Sequence, residues 1–230
     1  MKIHSDFDIN YPSVSHKKYI ECVYEFCRKN RFSMILRGSL SKGTATKYSD
    51  IDLIILGNIR GSKIDEVITL YDKPIMTNFT ERPKGILILI YKDTISVDLD
   101  IRETISKEDL RDSKILLKYD ENFIISDKTA IRKEIISKYI PNRPMWYKTL
   151  RLVHKGTIKY LSNKTDSAYN LLSEIKESLT NFNMNNLKLN GNFEDDIQCI
   201  FNEFCEKFEV DLKIKILFED LFNKIGDGSF

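Results

Sequence analysis

Two pairs of aspartates stand out by their spacing. Asp50 and Asp52 lie two residues apart in SDIDLIIL, and Asp98 and Asp100 two apart in SVDLDIR. In an extended strand, residues i and i+2 share a face, about 6.5–7 Å apart at the backbone. Each pair therefore aims its carboxylates the same way. Like charges held that close repel, and one carboxyl resists ionising. A divalent cation removes the penalty, because Mg²⁺ prefers hard oxygen ligands and neutralises both groups. A third carboxylate from a neighbouring strand lets two metals sit about 3.5–4 Å apart, the arrangement for in-line attack on phosphorus.

Upstream lies a turn of small residues, Gly38-Ser39. Glycine lets backbone N–H groups approach phosphate oxygens, and a serine hydroxyl adds a donor. Lys42 is a further candidate for a phosphate, with solvent as its alternative. Gly38 and Gly43 have the G-x-x-x-x-G spacing of a Walker A loop. Thr44-Ala45 stands where Lys-Ser/Thr is required, which excludes that loop.

The elements that must position these residues follow from pattern. Ser15–Arg31 reads as a helix with Tyr19, Cys22, Val23 and Phe26 on one face and Ser15 as its cap. Ser33–Arg37 is a short apolar strand ending at the Gly-Ser turn, and residues 41–46 suit a helical turn. Ile51–Leu56 is a second strand, and Ser62–Tyr71 a helix. Strands follow over 75–80, 85–91 and 94–102, the last two forming a hairpin about Lys92-Asp93. In the last strand Ile95, Val97, Leu99 and Ile101 point one way, and Ser96, Asp98, Asp100 and Arg102 the other. A short helix over 106–113 has Ser106 as its cap and Glu108-Asp109 near its positive end. Residues 114–125 hold a strand or hairpin piece.

From Asp127 the pattern is helical: 128–140, 144–161, 167–180, 193–208 and 211–225, with an Asn-rich loop over 181–192. Pro141 to Pro144 marks the boundary. The expected organisation is therefore a catalytic domain over residues 1–140 and a helical domain over 141–230.

Strand, Gly-Ser turn, short helix, Asp-x-Asp, then a later strand with a further Asp: this order resembles the nucleotidyltransferase superfamily of DNA polymerase beta. Its minimal and antibiotic-modifying members look most similar. The resemblance covers residues 33–102 in motif and 15–125 in element order. It implies an α+β fold, a mixed-sheet polymerase beta-like domain followed by helices. It implies that Gly38 and Ser39 hold the terminal phosphates of a nucleoside triphosphate, with ATP the expected one. It implies that Asp50 and Asp52 bind two Mg²⁺ ions. A third carboxylate, implied to help activate the acceptor hydroxyl, is Asp98 or Asp100. Val97-Asp98-Leu99 matches small members of the family, and Leu99–Arg102 matches polymerase-like members. Spacing to the next helix favours Asp98 as the third metal ligand, with Asp100 the alternative catalytic carboxylate.

The implied activity is transfer of a nucleoside monophosphate to a hydroxyl acceptor, with release of pyrophosphate. The acceptor is left open among a small molecule such as an antibiotic, an RNA end and a protein hydroxyl. The competing reading is a non-catalytic nucleotide- or RNA-binding module of the same fold. Lys148, Arg151, Lys155 and Lys159 follow helical spacing and form a basic stripe, a solvated face or a phosphate contact. Trp146, Tyr147, Phe201, Phe204 and Phe208 read as core, and His154 as structural.

Composition narrows the classes. The chain has 36 basic and 34 acidic residues, a net charge of +2, so it is no polycation and any nucleic-acid affinity must be local. Cys22, Cys27, Cys199 and Cys205 form no C-x-x-C pair, and His4, His16 and His154 are scattered, which argues against zinc. The cysteines read as small apolar residues on helices. The N-terminus lacks a signal-peptide core, and no run reaches membrane-spanning length. A reducing, cytoplasmic setting without membrane contact is expected.

Overall fold

The computed structural model describes residues 7–81, 84–126 and 143–226. Helix α1 spans Val14–Asn30 and is capped by Ser13, whose side chain accepts the His16 N–H. The cap is thus Ser13 rather than Ser15, because Ser13 holds the extended backbone that a cap needs. Tyr19, Ile20, Val23, Phe26 and Cys27 form its buried stripe. Arg31 ends the helix in the left-handed conformation, and the Phe32 N–H then reaches the Cys27 carbonyl at 2.9 Å.

Strand β1 (Ser33–Arg37) runs directly into helix α2 (Gly38–Ser41). The helical turn expected over 41–46 therefore lies earlier, because Gly38, at φ +68°, turns the chain at once. Strand β2 (Ile51–Leu56) and helix α3 (Ser62–Thr69) follow. Next come β3 (Met76–Glu81), β4 (Lys84–Ile90), β5 (Ser96–Arg102) and β6 (Thr104–Ile105). Helix α4 (Lys107–Arg111), β7 (Lys114–Leu117) and β8 (Ile124–Ile125) complete the described part of this unit.

Among the described residues, six strands form one mixed sheet in the order β3-β4-β5-β2-β1-β7. The β2–β5 pair is parallel and the other pairs are antiparallel. A small parallel pair, β6-β8, stands apart. The alternation of polar and apolar residues decides the two faces. Met34, Leu36, Leu53, Ile55, Leu87, Val97 and Leu99 join α1 and α3 in the main core. Each such side chain stabilises the fold by about 1.5–3 kcal/mol on full burial. The opposite face has a smaller cluster, Ile35, Ile54, Leu56 and Ile105, with Leu110 and Phe123 beside it. The polar residues of β2 and β5 emerge on that second face.

The chain divides into two compact units, Met1–Pro141 and Asn142–Phe230. The second is helical: α5 (Met145–Leu161), α6 (Thr165–Ser178), a 3₁₀ turn (Leu179–Phe182), α7 (Phe193–Lys207) and α8 (Leu212–Gly226). Stacked rings fill its core, Tyr160 on Phe193 at 4.5 Å and Phe201 on Phe218 at 4.4 Å. Trp146 stacks on Phe208 at 5.3 Å, a packing role. Buried Asp196 takes Lys176 Nζ at 2.6 Å and the Asn190 N–H at 2.8 Å, which ties the Asn-rich loop to α6 and α7. His154 is buried, and burial, with the charge of Arg151 adding to it, lowers its pKa to about 3. The helix expected over 128–140 lies outside the described residues. Among the described residues, no helix is long and apolar enough to cross a membrane.

Candidate active site

Strand register brings the polar residues together. In the antiparallel β1–β2 pair, Arg37 lies opposite Asp52. In the parallel β2–β5 pair, Asp52 lies opposite Asp98 and Ile54 opposite Asp100. Asp52 and Asp98 therefore stand on neighbouring strands and share one face of the sheet, about 4.8 Å apart at the backbone. The chain leaves β1 at Gly38, hard against Asp52. A Cβ at Gly38 would fall 2.0 Å from Asp52 Oδ2, so any other residue displaces that carboxylate. A cavity of about 400 Å³ opens here, with Arg37, Gly38, Asp52, Asp98, Asp100 and Asp109 in its wall and Ile54 and Ile86 beside them.

The electrostatics separate the two β5 aspartates. Asp100 is 4% exposed and pairs with Arg102, Nη2 to Oδ2 at 3.0 Å. Arg102, itself buried, reaches on to Asp109 Oδ2 at 2.6 Å. Arg37 Nη1 meets Asp109 Oδ1 at 2.8 Å. Asp109 also closes a capping box with Ser106 at the start of α4. Burial alone would raise the Asp109 pKa. The bonds from Arg102 and Ser106 and the charges of Arg102 and Arg37 outweigh it, holding the group at about 2. Asp98, by contrast, is only partly buried.

The remaining candidates lie around this cavity. Asp50 is partly buried and sits one residue before β2, outside the cavity wall. Ser39 is in α2, partly buried, and its carbonyl accepts the Thr44 N–H at 3.0 Å. Lys42 is exposed and donates to Asp112 at 3.0 Å. Of the basic stripe on α5, Lys155 is exposed and Lys148, Arg151 and Lys159 are partly buried. A second cavity, of about 550 Å³, lies beside α1 and the β4–β5 turn. In its wall Lys92 meets Asp72 at 3.0 Å, and the Tyr71 hydroxyl donates to Asp93.

Among the described residues, no three His, Cys, Asp or Glu side chains converge as a ready ligand cluster. The donor chemistry of the smaller cavity nonetheless fits a hard divalent cation. Asp52 and Asp98 supply anionic oxygens from adjacent register positions, and the Gly38 turn leaves room beside them. Arg37 and Asp109 are cavity residues that motif reading does not single out. Asp109 had a signal, the Ser106-x-x-Asp109 cap. Arg37 had only its place before the glycine.

The sequence profile of the family described as "Nucleotidyltransferase domain" matches residues 20–138, just over half of the chain. No curated protein matches the sequence.

Proposed function

The chain belongs to the nucleotidyltransferase-domain family, and from that premise we propose that it transfers a nucleoside monophosphate from a triphosphate, with ATP the expected one, to a hydroxyl acceptor. Pyrophosphate leaves. One observation carries the reading: Asp52 and Asp98 stand side by side in parallel register at the mouth of the Gly38 turn.

Asp50, Asp52 and Asp98 would hold two Mg²⁺ ions, which supply charge stabilisation at the α-phosphorus and lower the acceptor hydroxyl's pKa. Gly38 and Ser39 orient the terminal phosphates. Arg37, partly exposed at the cavity wall, adds positive charge toward the leaving group. Asp98 is preferred to Asp100 as the third ligand. Asp98 is the more open of the two, while Asp100 is committed to buried Arg102. Asp100 then acts through that ion pair, supporting the floor of the site. The acceptor is a small hydroxylated molecule, an RNA end or a protein side chain. We also propose that residues 1–140 and 141–230 are separate domains and that the protein is cytoplasmic.

The test is pyrophosphate release from each of the four ribonucleoside triphosphates, with Mg²⁺ and a fractionated cell extract as the acceptor source. Asp52→Asn and Asp98→Asn should each lower the rate by about a hundredfold or more, while circular dichroism stays unchanged. Full turnover by the Asp52→Asn/Asp98→Asn double variant contradicts the reading.

A further inference from the structure

The strand ladders that hold the candidate carboxylates stop short of Asp50. β1 leaves the sheet after Arg37, opposite Asp52, and the β2–β5 pairing starts at Ile51, opposite Val97. Asp50 instead follows a turn, in which the Ser49 N–H reaches the Thr46 carbonyl at 2.9 Å. Ser49 Oγ in return accepts the Thr46 N–H at 2.9 Å.

The Ser49 carbonyl is taken by a different element. His16, in the first turn of α1 and 1% exposed, approaches it through Nε2 at 3.0 Å. A carbonyl oxygen only accepts, so Nε2 carries the proton and donates it. In the neutral ring Nδ1 then accepts, and Ser13 Oγ lies 2.7 Å from it. The same Ser13 oxygen accepts the His16 backbone N–H at 3.3 Å as the cap of α1. Burial lowers the His16 pKa, outweighing the Ser49 bond and the charges of Asp93 and Asp50 that favour protonation. The ring is thus a neutral spacer, locked in one tautomer between the helix cap and the peptide that precedes Asp50.

We propose that His16 is a positioning residue: through Ser49 it fixes the backbone that presents the Asp50 carboxylate to a divalent cation. The proposal rests on the reading of Asp50, Asp52 and Asp98 as metal ligands. A ligand whose backbone is already held costs less to order when the cation binds. The His16 bond orders it beforehand. Outer partners that orient ligands in this way typically change metal affinity by about 10–100-fold.

The probe is Mn²⁺ alone, titrated into the full-length protein and read by electron paramagnetic resonance, without nucleotide or acceptor. His16→Leu keeps the apolar bulk but loses the donor. It should weaken Mn²⁺ binding by about 10–100-fold. His16→Gln can still donate to the Ser49 carbonyl and should recover most of the affinity. Thermal melts without metal monitor the fold separately. Should His16→Leu fail to fold, Ser13→Ala carries the test: it leaves the ring in place, frees its tautomer and should weaken binding in the same direction. Wild-type affinity in His16→Leu, or in Ser13→Ala where the leucine variant does not fold, overturns the positioning role, provided Asp52→Asn abolishes binding. A wild-type protein that binds no Mn²⁺ overturns the metal reading itself, and the role of His16 with it.

Discussion

Gly38 is the residue on which the candidate site turns. Its φ of +68° is strained for a side-chain-bearing residue, and its Cα lies where a methyl group would strike Asp52 Oδ2. Gly38→Ala should cost about 1–2 kcal/mol in stability from backbone strain. The Asp52 carboxylate should swing aside, so activity should fall far more than stability does. Urea titration beside initial rates checks this, and equal losses in both would contradict it. Arg102 makes a different argument. It neutralises Asp100 and braces Asp109, and both it and Asp100 are almost fully buried. Arg102→Met leaves a buried carboxylate without its counterion, which should destabilise by about 3–5 kcal/mol. Adding Asp100→Asn should restore much of that loss in equilibrium unfolding.

Among the elements, α4 connects local sequence to the site. Its capping box uses Asp109, and the same carboxylate receives Arg37 from β1 and Arg102 from β5. Asp109 has a folded-state pKa of about 2, below its ordinary 3.8. The unfolded chain therefore binds the extra proton first as pH falls. The stabilisation is complete above pH 4 and is lost between about pH 4 and pH 2. Asp109→Asn should flatten that part of the stability profile, as read by unfolding midpoints from pH 5 to 2. An unchanged acid limb would mean that the bridge contributes little. The strands themselves were legible. β5 alternates cleanly, so Val97, Leu99 and Ile101 face the core and Asp98, Asp100 and Arg102 face away. Spacing to the next helix favoured Asp98 over Asp100, but which of the two lies opposite Asp52 across the parallel pair was not legible. Register of that kind is fixed by the whole sheet rather than by the strand.

Across the whole molecule, local pattern located the sheet, the glycine turn and the helices of residues 143–226. It did not locate contacts made across long stretches of chain. Arg37 finds Asp109 72 positions away, and His16 finds Ser49 33 positions away. Neither pair has a periodicity to betray it, since each exists only after the elements have packed. The helix cap misplaced at Ser15 has the same origin: Ser13 and Ser15 are equivalent as residue types, and the backbone decides between them. Nucleotidyl transfer changes the bonding at the α-phosphorus, and the position of a label reads which phosphorus reacts. Two parallel incubations of the protein with Mg²⁺ and cell extract would use ATP labelled at the α- or the γ-phosphate. Nucleotidyl transfer should leave α-label on a macromolecule or small acceptor and γ-label only in pyrophosphate, both lost in Asp52→Asn. Transfer of the γ-label to the acceptor, or α-label transfer undiminished in Asp52→Asn, would contradict it.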